Sequence, residues 1–204
     1  MDLATAEGVT ELYLAANEGG RPLDIVALNA GIGVGGPFHE TDLEDDLRLV
    51  DLNCRSTVHL AKLVVRDMVA RRHGRILVTA SIAAKAPGPY HSTYAASKAF
   101  VHSFAEGIRH ELKDTGVTVT SLMPGPTDTE FFDRADMEDT RVAQGAQDDP
   151  DEVAKAGIEA LLDDKDHVVA GSLRNKVMAA ASSASPDKAA AAAMVKMTEP
   201  GSGT

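Results

Sequence analysis

The 204-residue sequence has no tryptophan, one cysteine and few aromatics, which together make up 4% of the chain. A single thiol, Cys54, excludes an intramolecular disulfide framework and a cysteine-rich zinc site. Basic residues are in the minority: 20 Lys and Arg stand against 31 Asp and Glu, a formal net charge of −11. Nucleic acid and anionic membranes both select basic patches, so neither is expected as a partner. No apolar run approaches the length of a membrane span. The opening residues, MDLATAEGV, carry neither the basic stretch nor the apolar core of a signal peptide. These absences predict a cytoplasmic protein. The seven histidines, from His39 to His167, show no metal-ligand spacing. Most are expected on the surface, and no metal site is expected.

What is present is the composition of a globular domain, with 44% hydrophobic and 25% charged residues. One domain is expected over residues 1–175, followed by an Ala- and Ser-rich tail over 176–204 that is partly helical or disordered. An amphipathic helix is expected over 5–18, ended by Gly19-Gly20. Short apolar runs at 25–28, 76–80, 117–123 and 167–170 read as strands, and helical patterns at 41–72, 92–113 and 149–162 separate them. Thr41 to Glu44 has the form of a capping box, and Asp149-Pro150 that of an N-cap followed by proline at N1. Residues 127–148 read as acidic and irregular, and 199–204 as disordered. Strands alternating with helices imply parallel crossovers and an α/β layered fold. In such sheets ligands bind beyond the carboxyl ends of the strands. Asn29-Ala30-Gly31, Ser81 and Pro124-Gly125 all fall there, on one rim.

The stretch from Ser81 to Lys98 carries the chemistry. Tyr94 and Lys98 are four residues apart on a predicted helix, so they share a face. An ammonium beside a phenol favours the phenolate, which makes Tyr94 a candidate general acid and base with a lowered pKa. Ser81 precedes Tyr94 across a turn-rich loop that can return its hydroxyl to the phenol. Gly31, Gly33 and Gly36 match the spacing G-x-G-x-x-G, but Pro37 and the capping pattern put the next helix start near Thr41. A helix that begins there cannot hold a pyrophosphate on those glycines. They read as a loop beside the site.

Together these motifs resemble the short-chain dehydrogenase/reductase family, over about residues 2–171. The resemblance implies a Rossmann-like fold with helices on both faces of a parallel sheet. It also implies hydride transfer between NAD or NADP and an alcohol or carbonyl compound. Asn53, Ser81, Tyr94 and Lys98 match the family's catalytic residues. By that match Tyr94 moves the proton, Ser81 orients the substrate oxygen, and Lys98 also binds the nicotinamide ribose. Asn53 holds a water that relays protons to the lysine. Asn29, Ala30 and Gly31 match the segment beside the cofactor, and Pro124 and Gly125, with Thr127 and Thr129 after them, match the turn at the nicotinamide carboxamide. Asp2 and Leu3 resemble the segment that meets adenine. Phe131 and Phe132 fall where the family has a substrate lid. By the same analogy the helices over 41–72 and 92–113 pair two subunits into a homodimer or homotetramer.

The family's first three strands, its phosphate-binding glycine turn and the residues that select NAD or NADP have no counterpart here. The strand at 25–28 is therefore expected to be an open edge, and cofactor binding to be weak. The alternative expectation is a catalytically inert fragment that acts through oligomerisation or partner binding.

Overall fold

The structure, a computed structural model, describes residues 1–203. Helix α1 (Ala6–Asn17) leads to the short strand β1 (Ile25–Leu28). Next come α2 (Leu43–Val50), a π-helical turn (Asp51–Arg55), α3 (Ser56–Ala70) and β2 (Gly74–Thr79). Helix α4 (Ser92–Glu111) connects to β3 (Val117–Met123), and α7 (Pro150–Leu162) to β4 (His167–Val169). Between β3 and α7 lie two four-residue helices, α5 (Phe131–Arg134) and α6 (Arg141–Gln144). Helices α8 (Leu173–Ala184) and α9 (Asp187–Thr198) close the chain. No helix among the described residues is long and apolar enough to cross a membrane.

Successive strand residues point to opposite faces of the sheet. One face carries Leu28, Ile76, Val78, Val119 and Met123, packed in one cluster with Ala61, Val64 and Met68 of α3 and Val101 and Ala105 of α4. The other carries Leu77 and Leu122, packed with Val153 and Leu161 of α7. Ile76, Val78, Met68 and Met123 are fully buried, and each such side chain contributes roughly 1.5–3 kcal/mol.

The strands are parallel and lie in the order β1-β2-β3-β4, so every crossover steps the same way. The first two, through α2–α3 and α4, lie on one face and the third, through α7, on the other. Equal steps on opposite faces have opposite hands. Parallel crossovers are right-handed in nearly every case, so the first two take that hand and the third is left-handed. To change faces, the chain after β3 must travel round the carboxyl rim of the sheet. Residues 124–149 make that journey, and a bridge between Thr127 and Asp148 pins its two ends together. A segment is thereby laid over the rim where ligands bind.

Several local expectations are corrected. The helix over 41–72 is interrupted at Asp51–Arg55. There the hydroxyls of Ser56 and Thr57 bond back to the carbonyls of Leu52 and Asn53, at 2.5 and 2.8 Å, where the regular ladder is broken. The cap is Asp42, whose carboxylate accepts from the Glu44 amide at 2.8 Å, while Thr41 bonds Asp46 instead. Residues after Val177 hold more than their composition promises. Ala179 and Ala190 are buried, and Thr198 donates to the Pro89 carbonyl at 2.8 Å. Residues 199–203 are held by bonds from Gly201 and Gly203 to Asp139 and from Arg141 to Ser202. Thr204 lies outside the described residues. At the other side of the sheet β1 is an edge, with Ile25 46% exposed.

Gly116 turns the chain from α4 into β3 at φ +85°, and a Cβ there would lie 2.2 Å from the Arg72 carbonyl oxygen. Gly116→Ala is expected to cost roughly 2–3 kcal/mol. Gly107 sits in α4 with open space where a Cβ would go. Gly107→Ala should therefore stabilise by roughly 0.5–1 kcal/mol. Urea melts of both variants check the pair, and shifts of the same sign would contradict it.

Candidate active site

The rim is built from the carboxyl end of each strand. After β1, Asn29 accepts a hydrogen bond from the Thr79 hydroxyl at 2.9 Å, tying the ends of β1 and β2. After β2, Ala80 and Ile82 donate to the carbonyls of Leu122 and Pro124, so pairing to the third strand's exit continues past the sheet. Ser81 lies between them. It is buried, and its hydroxyl caps a short 3₁₀ turn by accepting from the Ala83 amide at 3.1 Å. The chain then crosses Pro87–His91 and enters α4, which presents Tyr94, Ser97 and Lys98.

Asn53 joins these parts. Its Oδ1 accepts from the Ile32 amide and its Nδ2 donates to the Ile32 carbonyl, both at 2.9 Å. The second Nδ2 hydrogen goes to the Ser97 hydroxyl, also at 2.9 Å. Both amide N–H bonds are thus used within the protein, and only Oδ1 keeps a lone pair free to meet a water. The π-helical turn that interrupts α2–α3 spans this residue.

Lys98 is buried and donates to the Thr79 carbonyl at 2.9 Å. Its ammonium sits 5.8 Å from the centre of the Tyr94 ring. Phe131 packs against that ring, with centroids 5.1 Å apart, and His91 lies at 6.0 Å. Burial pushes the Tyr94 phenol up to about 12, only partly opposed by a hydrogen bond with Ser81. Burial pushes the Lys98 ammonium down to about 8, with the nearby Cys54 acting the other way. The expectation of a lowered phenol is corrected: it is raised, because loss of water outweighs the hydrogen bond with Ser81. At neutral pH the phenol is protonated, so the site as it stands is poised to give a proton.

Nine of the residues singled out from the sequence line one cavity of about 830 Å³: Asn29, Gly31, Ser81, Tyr94, Lys98, Pro124, Gly125, Thr127 and Thr129. Asn53 lies beneath it, behind Ile32. Asp2, Leu3 and Ala30 do not line it; the Asp2 carboxylate instead pairs with Arg48 at 3.0 Å and accepts from the Ala4 amide near the start of α1. The glycine loop serves the rim segment. A Cβ on Gly33 would lie 2.6 Å from Phe131, and the Gly35 amide donates to Ala135 at 2.7 Å. Phe132 packs down with Ala135, Met137 and Ala143, while Phe131 faces the phenol.

Three features escape sequence reasoning. His91 is buried, with Nδ1 3.1 Å from the Pro89 carbonyl oxygen. His102 is half-buried between Lys85 and Ser121. Neither was singled out from the sequence, because nothing in a lone histidine reveals which turn will cover it. The third is the tail: Met178, Met194 and Met197 of α8 and α9 line the cavity. The i, i+3 spacing of Met194 and Met197 in an otherwise Ala-rich helix is the signal that marks this face.

The sequence profile described as short chain dehydrogenase matches residues 1–139. An uncharacterized oxidoreductase of Staphylococcus saprophyticus is 34% identical over 163 residues, covering 79% of this chain and 67% of that one. The NADP-dependent 3-hydroxy acid dehydrogenase of Escherichia coli is 32% identical over 61% of this chain and 51% of its own. Among solved structures, a Sphingobium yanoikuyae short-chain dehydrogenase in complex with NADPH superposes with a TM-score of 0.75 at 27% identity, over 82% of this chain and 65% of that one. The chain thus spans about half to two thirds of the length of these relatives.

Burial pushes the His91 imidazole down to about 4, and His102 likewise. The unfolded chain takes up these protons near 6.5, so between about 6.5 and 4 it binds more protons than the folded state. Stability therefore falls as pH falls through that window, by roughly 3 kcal/mol for His91. His91→Asn should flatten the slope in urea melts taken at pH values across the window. An unchanged slope would show that His91 titrates normally.

Proposed function

The chain belongs to the short chain dehydrogenase family, and from that premise we propose that it transfers a hydride between NAD or NADP and an alcohol or carbonyl compound, with Tyr94 as general acid and base. One observation carries the reading: Ser81, Tyr94 and Lys98, from a loop and a helix, line a single cavity at the carboxyl ends of the strands.

The residues at hand fit the nicotinamide half of such a cofactor. The buried Lys98 ammonium has one protein acceptor among the described residues, Thr79, and its remaining N–H directions suit ribose hydroxyls. A Cβ on Gly31 would come within 3.2 Å of that ammonium, so glycine leaves room beside it. Thr127 and Thr129 bring hydroxyls to the Pro124-Gly125 turn for a carboxamide. For the pyrophosphate, no helix opens on the glycine loop, since α2 begins at Leu43. The cofactor, when bound, supplies or accepts the hydride.

The chain's own residues handle the proton. The Ser81 hydroxyl donates to the substrate oxygen and orients it. The Tyr94 phenol donates its proton to that oxygen in reduction and removes one in oxidation. The phenolate left behind is stabilised by Lys98, the cation nearest the ring. Asn53 acts through Ile32 and Ser97 as a positioning residue, because its amide is occupied by them. Assembly belongs to the same reading: Leu47 (49% exposed) on α2 and Phe100 (44% exposed) on α4 support pairing of two copies through these helices.

Tyr94→Phe is expected to lower kcat/KM by about 10³-fold with NAD(P)H affinity retained. Stopped assays and fluorescence titration of the 204-residue chain measure both. Turnover undiminished in the variant would overturn the assignment. The reductive kcat/KM should also fall as pH rises through about 8, where the Lys98 ammonium loses its proton. Lys98→Arg should shift that limb out of range. A wild-type profile flat across that pH would count against the role of Lys98.

A further inference from the structure

We propose that the compound held against Tyr94 is bulky, apolar and uncharged, a ketone or secondary alcohol without a carboxylate or phosphate. The inference rests on the function proposed above and concerns the part of the cavity lined by the rim segment and the closing helices. Its wall is formed by Phe131 and Met137 of the rim segment and by Met178, Met194 and Met197 of the closing helices. Four of the seven methionines in the chain therefore face this one space. Methionine is flexible and polarizable, and it fills in around apolar bodies of irregular shape.

The polar groups on this side are few and none is a free cation. His91 is held neutral by burial, and its Nδ1 is engaged at Pro89. The Thr198 hydroxyl donates within reach of Pro89 and Met194, both carbonyl acceptors. Arg134 lines the cavity at its exposed side and is paired with Glu130, which lines it too. Lys98 is the remaining positive charge; one N–H is bonded to Thr79, and the others serve the ribose in the function proposed above. A carboxylate moved into this part would lose its water and gain no partner, at a cost far above that of an apolar group. The E. coli relative is named for 3-hydroxy acids; the lining here points to a different substrate.

The test uses the 204-residue chain and two carbonyl compounds, benzophenone and acetoacetate. Binding is read separately, by fluorescence of the uncharged dye N-phenyl-naphthylamine and its displacement by each compound. Benzophenone is expected to displace the dye and to be reduced with the higher kcat/KM, and acetoacetate to do neither well. Met194→Gln with Met197→Gln should weaken benzophenone about tenfold in KM and in displacement, while Leu at both positions stays within about threefold of wild type. Acetoacetate reduced as efficiently as benzophenone would overturn the inference. So would dye displacement unaffected by Gln at Met194 and Met197. If neither compound is reduced but displacement is intact and methionine-dependent, the apolar pocket stands and the hydride-transfer reading falls.

Discussion

Asn53 is buried under a loop whose Ile32 backbone bonds to it in both directions, and it makes a third bond to Ser97 on α4. Those three bonds tie the exit of β1, the kinked helix and the helix of Tyr94 and Lys98 into one frame. An amide is suited to the task because it both donates and accepts, so each Ile32 group finds its complement. The π-helical turn spans this residue, and the hydroxyls of Ser56 and Thr57 bond to carbonyls within it. Buried backbone groups left unbonded cost about 1–3 kcal/mol each. Loss of this carboxamide would free two on Ile32 and leave the Gly31 loop without its anchor.

The electrostatics of the site follow from the same enclosure. A buried phenol packed against Phe131 has little water to stabilise its anion, and the buried Lys98 ammonium is held below its usual range. Both groups therefore prefer the neutral form more than they would in solvent. The resting site is set for giving a proton. Taking one asks for an added positive charge next to the ring.

Much of this was legible in the chain. Four apolar runs separated by helical patterns point to a parallel α/β sheet, and the family resemblance made the run at 25–28 its open edge. Asn29, Ser81, Tyr94, Lys98 and Pro124-Gly125 could be placed on one rim because strand ends are where βαβ units expose their loops. What stayed hidden depends on contacts between distant segments. The interruption at Asp51–Arg55 is absent from an apolar pattern that continues through it. The pKa of Tyr94 turns on how completely Phe131 and the tail exclude water, and spacing carries no measure of that. The left-handed crossover is equally silent, since a sequence says that a helix lies between two strands and not on which face it packs. The tail was expected to be partly helical or disordered, and α8 and α9 are helices; its Ala- and Ser-rich composition gave no sign that Met178, Met194 and Met197 line the cavity.

The bonds that close the cavity join residues 109 apart: Thr198 to Pro89 and Tyr90 to Glu199. Contacts so distant in sequence form only after the intervening chain has been brought together. During synthesis the sheet and the helix of Tyr94 can assemble while α9 has yet to be made, because chains fold from the N-terminus forward. Tyr94 is then in place before the α9 residues that line the cavity with it. On the proposal made above, a chain interrupted before α9 would keep the phenol and lose the methionine wall of the cavity.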